Sequence, residues 1–292
     1  MEIVAKNLTF TYSAKTKSLA FRALSGVSVD IKEGEFFGII GKTGSGKTTF
    51  VQHLNGLIKV QKDSGSLLVG EYDLTAKKCD YKSLRGQVGM LFQYPEHQLF
   101  AETVFDDVAF ALENFAPELS EKEVAARVKE ALELTGLEFD RFKDKSPFDL
   151  SGGQKRRVAI AGVIVAKPEI LVLDEPAAGL DPKGKREFLE LLQRLHKDFV
   201  KTIIIVSHDM NLVSEYCTNV AVFSDGKILA VKPPKEIFSD GKLIKESGLD
   251  LPLTAFLTEQ LKKRGVVADN DFTADGFAES VCRALNIGGE KR

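Results

Sequence analysis

Three glycines, Gly41, Gly44 and Gly46, separate a continuous apolar run from a stretch with helical periodicity. The run, Phe36 to Ile40 (FFGII), suits a strand buried on both faces. The stretch carries Phe50, Val51, Leu54, Leu57 and Ile58 on one side of a helix. Strand, glycine-rich turn and helix make half of a βαβ unit, which commits the chain to an α/β architecture around a parallel sheet. The turn itself, Gly41, Lys42, Thr43, Gly44, Ser45, Gly46, Lys47 and Thr48 followed by Thr49, fits the pattern GxxxxGK[ST]. Its glycines let the backbone curl into a nest of N–H groups that point at phosphate oxygens. Lys47 then supplies positive charge to the β- and γ-phosphates, and the Thr48 hydroxyl can ligate Mg²⁺. A glycine turn of no consequence has no need of Lys and Thr at the helix start, so the expected ligand is a nucleoside triphosphate.

A second apolar run, Ile170 to Leu173, ends in Asp174 and Glu175. Parallel sheets hold their ligands at the carboxyl ends of strands, where these two acids fall. Asp174 is expected in the Mg²⁺ shell, and Glu175 is placed to polarise an attacking water. A third run, Ile203 to Val206, leads through Ser207 to His208, and a helix is expected over 183–198 between the two strands. Short alternating runs in the first thirty residues, such as Val27 to Ile31, predict strands covered on one face, an N-terminal antiparallel β portion beside the parallel core. Residues 103–166 read mainly as helix; Ser120 with Glu123 makes a capping-box start. Helices are expected on both faces of the sheet, with the inserted helical segment forming its own lobe.

Composition narrows the class. The 292 residues include 40 Lys+Arg and 42 Asp+Glu, a formal net charge of −2, which leaves no electrostatic footprint for nucleic acid. No apolar stretch approaches the ~18–20 residues that span a bilayer. The opening MEIVAKNLTF lacks the basic-then-apolar layout of a signal peptide. Cys79, Cys217 and Cys282 are odd in number and far apart, so neither a disulfide framework nor a CxxC site is expected. These features point to a reducing, cytoplasmic location.

Leu150, Ser151, Gly152, Gly153 and Gln154 stand about 20 residues before Asp174 and precede an expected helix. Ser151 can serve as a plain N-cap; the same bare N–H groups and hydroxyl can also bind phosphate. With this LSGGQ signature the chain resembles the ATP-binding cassette family. Further landmarks follow in the family's order: Gln93 for the Q-loop, Ala178 to Asp181 for the D-loop, and His208 for the switch histidine. The resemblance implies that Gln93 touches Mg²⁺, that His208 meets the γ-phosphate beside Glu175, and that Tyr12 stacks on adenine. It also implies that Ser151, Gly152, Gly153, Gln154 and Asp181 complete a nucleotide site on the opposite subunit. His53, His97 and His196 are expected to be structural or surface residues.

After the Q-loop, Gln93 to Phe100 and Thr103 to Asn114, and in the tail Gly248 to Pro252 with the amphipathic stretch after it, resemble the ATPases of energy-coupling factor transporters, bacterial importers of vitamins and transition-metal ions. That resemblance implies ATP and Mg²⁺ as cofactors and a second cassette subunit, different but related, as mate. It also implies a transmembrane coupling protein, a membrane substrate-binding protein and a place on the cytoplasmic face of the membrane. The expected division is an ATPase domain over 1–240, with a helical subdomain at about 95–165, and a helical extension over 241–292. Two readings of the extension stand: a helix covering the domain, or a pairing element using Leu253, Phe256, Leu257 and Leu261. The segment 93–114 is expected to dock the membrane partner through Glu96, Asp106 and Asp107. Other readings are an importer ATPase of another class or a cassette acting on nucleic acid. A kinase or GTPase has no use for LSGGQ, and a GTPase also needs an N-K-x-D guanine reader, which this chain lacks.

Overall fold

The computed structural model describes residues 1–12, 20–270 and 272–285. In chain order the elements are β1 (Ile3–Tyr12), β2 (Phe21–Ile31), β3 (Phe36–Gly41), α1 (Lys47–Leu54), β4 (Ser66–Val69), β5 (Tyr72–Asp73), α2 (Tyr81–Gln87) and β6 (Val88–Leu91). A 3₁₀ turn at Pro95–Gln98 leads into α3 (Val104–Phe115), α4 (Glu121–Leu134), α5 (Phe139–Phe142) and α6 (Gly152–Ile164). The second half holds β7 (Ile170–Asp174), α7 (Pro182–Asp198), β8 (Thr202–Val206), α8 (Met210–Tyr216), β9 (Asn219–Ser224) and β10 (Lys227–Lys232). Four helices close the described chain: α9 (Pro234–Ser239), α10 (Gly241–Ser247), α11 (Leu253–Lys263) and α12 (Ala274–Ala284).

The central sheet runs β10-β9-β3-β8-β7-β6. Its strands are parallel except for β10, which returns from β9 as an antiparallel edge. Because side chains alternate along a strand, each run feeds two cores. Leu171 and Leu173 face the core built with the helical lobe, α7, α8, α9 and α10. Ile170 and Val172 face the other, with α1 and a second sheet, β2-β1-β4-β5. Helices flank both faces, and the expected N-terminal antiparallel portion shares one face with α1, because β1 and β2 each present a single apolar stripe that must be covered.

The inserted segment forms the helical lobe, and α4 starts with the expected capping box at Ser120 and Glu123. The boundary near residue 240 is not a break in packing, since Leu243 and Ile244 of α10 are buried with Ile237 and Phe238 of α9. Residues 286–292 of the expected extension lie outside the described residues. Cys217 is buried, Cys79 half-buried and Cys282 exposed, all as free thiols. His53 is fully buried and its Nδ1 meets Thr49 O at 2.7 Å, a structural role as expected.

Candidate active site

The carboxyl ends of β3, β7 and β8 open into a cavity of about 500 Å³. Thr43, Gly44, Gly46, Lys47, Thr48 and Thr49 form one wall; Gln93, Asp174, Glu175 and His208 form the opposite one. Gly41, Lys42 and Ser45 complete the loop without lining the cavity. Gly46 has φ 102°, and a Cβ there would collide with the Ala23 carbonyl, so only glycine lets α1 begin this close to β2. Lys47 is buried, and its Nζ donates to Gly41 O at 2.7 Å and Lys42 O at 2.9 Å. Burial lowers its pKa, against the pull of Glu175 and Asp174.

Burial raises the Asp174 pKa, opposed by a hydrogen bond with Thr48 and the charge of Lys47. Asp174 Oδ1 is buried without a hydrogen-bond partner. A buried oxygen left unpaired beside a hydroxyl suits a hard cation, so the residues present fit Mg²⁺. Glu175 sits just past β7 at φ 50°, a left-handed conformation that a non-glycine residue holds only under constraint. Burial pushes its pKa up to about 7, while the His208 backbone N–H and Lys47 work in the opposite direction. Glu175 Oε1 lies 3.1 Å from His208 Nε2 but accepts no well-aimed hydrogen bond. Burial, then the Lys47 charge, lowers the His208 pKa against the pull of Asp174, which favours the neutral imidazole.

The raised carboxyl has a consequence for stability. Between its ordinary value and about 7, Glu175 is protonated in the fold and ionised in the unfolded chain, so stability falls as pH rises through that window. Glu175→Gln should therefore raise Tm at pH 8 and have little effect at pH 4, measured by thermal unfolding without nucleotide. An equal shift at both pH values would show that the carboxyl is not buried at a cost.

Beyond the phosphate loop, six expected site residues do not line this cavity. Tyr12 lies beside it, with its hydroxyl 3.2 Å from Thr49 Oγ1 and its ring edge-on to Phe10. Its cross-strand partner Phe21, 56% exposed, lines the cavity instead. Phe21 and Ala23 carry no motif and reach the site through the β1–β2 register, beside Ala178 of the D-loop segment and Val206 at the end of β8. Asp181 caps α7, accepting from Gly184 N at 2.7 Å. Ser151 caps α6 in a box with Gln154, and nothing lies within 4 Å of where Cβ atoms would stand at Gly152 or Gly153. The start of α6 is thus bare, and none of Ser151 to Gln154 lines the cavity.

Arg156 on α6, which sequence reasoning did not single out, is buried and ties the segment after Gln93 to the D-loop segment. Its guanidinium pairs with Glu96 at 3.2 Å and donates to Ala178 O at 3.1 Å. No periodicity signals a contact set by tertiary packing alone.

A cavity lined by a glycine-rich loop, a buried lysine and two acids at strand ends has the chemistry to take a polyphosphate and a metal ion. Fold and site together define a nucleoside triphosphatase of the phosphate-loop class. Comparison with known proteins makes the class narrower. The "ABC transporter" family model matches residues 24–178. The energy-coupling factor transporter ATP-binding protein EcfA2 of Clostridium tetani is 43% identical over 98% of both chains. The structure of cbiO1 from Clostridium perfringens, described as part of the ABC transporter complex cbiONQ, superposes with TM-score 0.72 at 40% identity, covering 88% of this chain and 98% of that one. A dimeric post-hydrolysis state of the cassette MJ0796, bound to ADP and Pi, gives TM-score 0.69 at 30% identity over 80% of this chain and 98% of its own. The chain belongs to the ATP-binding cassette family, among the energy-coupling factor transporter ATP-binding proteins.

Proposed function

We propose that this chain is the ATP-hydrolysing subunit of an energy-coupling factor importer and works as one half of a cassette pair with a related but different subunit. The observation that carries the reading is the incomplete site. The phosphate loop, Gln93, Asp174, Glu175 and His208 share one cavity, whereas the bare signature helix is turned elsewhere. A mate that offers its own signature helix would close the triphosphate between two helix N-termini. The curated relatives bear the energy-coupling factor name over nearly their whole length, which favours this reading over another importer class or a nucleic-acid cassette.

In this reading Lys47 and the nest N–H groups orient the triphosphate. Glu175 takes a proton from water as the water oxygen bonds to the γ-phosphorus and the bond to the bridging oxygen breaks. His208 holds the γ-phosphate end in line. Thr48, Asp174 and Gln93 would hold Mg²⁺, which offsets charge on the phosphates when bound. Tyr12, exposed at the end of β1, is the aromatic platform for the base, with its cross-strand partner Phe21 beside it.

The mate, a transmembrane coupling protein, a membrane substrate-binding protein, a vitamin or metal-ion cargo and a seat on the cytoplasmic face complete the proposal. No helix among the described residues is long and apolar enough to cross a membrane. The pairing role of the extension is supported by Leu253, Phe256 and Leu257 of α11, which are exposed and do not cover the domain.

For the docking segment the structure redistributes the roles. Asp107 is buried and accepts from Phe100 N at 2.8 Å and Ala101 N at 2.9 Å, so it shapes the loop and cannot meet a partner. Glu96 is committed to Arg156, and Leu99 belongs to the core. What faces out is Asp106 and an edge-on aromatic pair, Phe100 and Phe110, with centroids 4.9 Å apart. Phe100→Ser with Phe110→Ser should abolish co-purification with the coupling protein while the cassette pair still hydrolyses ATP. Asp107→Ala should instead cost about 1–3 kcal/mol of stability by orphaning two N–H groups. Full assembly of the double serine variant would remove this surface from the proposal.

A further inference from the structure

The segment Gly248, Leu249, Asp250, Leu251 and Pro252, which links α10 to α11, touches the catalytic apparatus at three points. At its start, Gly248 ends α10 in the left-handed conformation, φ 60° and ψ 38°. The end of the Lys42 side chain fills the place where a Cβ at residue 248 would stand. Lys42 belongs to the phosphate loop, and its carbonyl is one of the two that hold the Lys47 ammonium. In the middle, Asp250 and Leu251 line a second cavity, of about 420 Å³, together with Glu175, Ala178 and His208. Those three residues also line the nucleotide cavity, so the catalytic pair forms the partition between the two. At its far end, Leu253 N donates to Asn211 Oδ1 at 2.8 Å.

Asn211 lies in the first turn of α8, three residues after His208. The cap Asp209 accepts from Asn211 N at 2.9 Å and Leu212 N at 3.0 Å, and it also pairs with Lys185 of α7. Whatever holds Asn211 therefore holds the turn that presents His208. The near end of the segment is equally fixed, because Leu243 and Ile244 anchor α10 in the core.

We infer that residues 248–253 act in cis as a strap between the phosphate loop and the switch loop, setting the position of His208 relative to the nucleotide. The extension then has a catalytic positioning role of its own, separate from pairing. Asn211 and the Leu253 N–H are the positioning groups; neither touches the substrate. The inference rests on the ATPase reading above.

Leu253→Pro tests it cleanly. Leu253 is the first residue of α11 and follows Pro252, whose φ −54° and ψ 150° already suit a residue before proline. Proline at that position removes the N–H without breaking the helix, and Leu253→Ala, which loses the same side chain but keeps the N–H, is the reference. In the assembled transporter, Leu253→Pro should lower kcat for ATP roughly 3- to 10-fold below that of Leu253→Ala, at unchanged ATP affinity. Asn211→Ala should give the same loss, Asn211→Asp should restore most of it, and Asn211→Ala added to Leu253→Pro should cost nothing further. Equal kcat in the proline and alanine variants overturns the strap while an active unaltered complex leaves the ATPase reading standing. Parallel losses of ATP affinity and Tm would reduce the segment to a packing element and also overturn it. An inactive unaltered complex would overturn the ATPase reading and the strap together.

Discussion

Glu175→Gln should bind ATP as the unaltered chain does and turn it over some ~10²–10⁴-fold more slowly. The amide is nearly the same size as the carboxyl and leaves the cradle of Lys47 and backbone N–H groups untouched. What it removes is the proton acceptor, held at φ 50° beside His208. The measurements are ATP-dependent thermal stabilisation, which should persist, and steady-state phosphate release, which should nearly vanish. The raised pKa of about 7 adds a signature. Without nucleotide the unaltered carboxyl is ionised only above that value, so kcat/KM should fall as pH drops through neutrality. The residual rate of the glutamine variant should lack that inflection. Lys47→Ala gives the opposite split, because it removes charge from the cradle itself: nucleotide-dependent stabilisation should disappear. Native turnover in Glu175→Gln would take the base assignment away from this residue.

The residues whose chemistry demands a special backbone were legible in the sequence. Gly41, Gly44 and Gly46 announce a loop that must curl around an anion, and all three have positive φ in the structure. Ser151 and Gln154 announce a helix start and form the capping box there. Asp174 and Glu175 end a run buried on both faces, and a parallel strand leaves its last residues at the ligand edge of the sheet. Phe21, by contrast, reads as one more apolar residue at a strand start; only its pairing with Tyr12 across β1 and β2 brings it to the cavity. Asp107 reads as a surface acid until the loop before α3 folds back on it. Arg156 and Asn211 are silent for the same reason, since each acts on a group far away in sequence, and Gly248 is legible only as part of a tail segment, not as a neighbour of Lys42. Motifs record what a local backbone must do, and tertiary contacts leave no periodicity to read.

The bare start of α6 leads to a prediction about pairs of chains. An ATP held by Lys47 needs a second helix N-terminus, and this chain's own signature does not line its cavity. If the mate supplies it, two composite sites form, each with a phosphate loop from one chain and a signature from the other. Mixing Lys47→Ala of this chain with a mate mutated in its own signature serine places both lesions in one site. The other site stays intact, so the mixture should still occlude nucleotide. Moving the mate's change to its phosphate-loop lysine places one lesion in each site, and occlusion should be lost. The contrast does not depend on how the two sites divide the hydrolysis between them, because occlusion reports closure around nucleotide and not turnover. It does depend on geometry: Ser151 must serve the mate's triphosphate and Lys47 this chain's own. Equal behaviour of the two mixtures, or full activity from a single isolated chain, would show that α6 reaches its own phosphate loop and that the site is complete within one subunit.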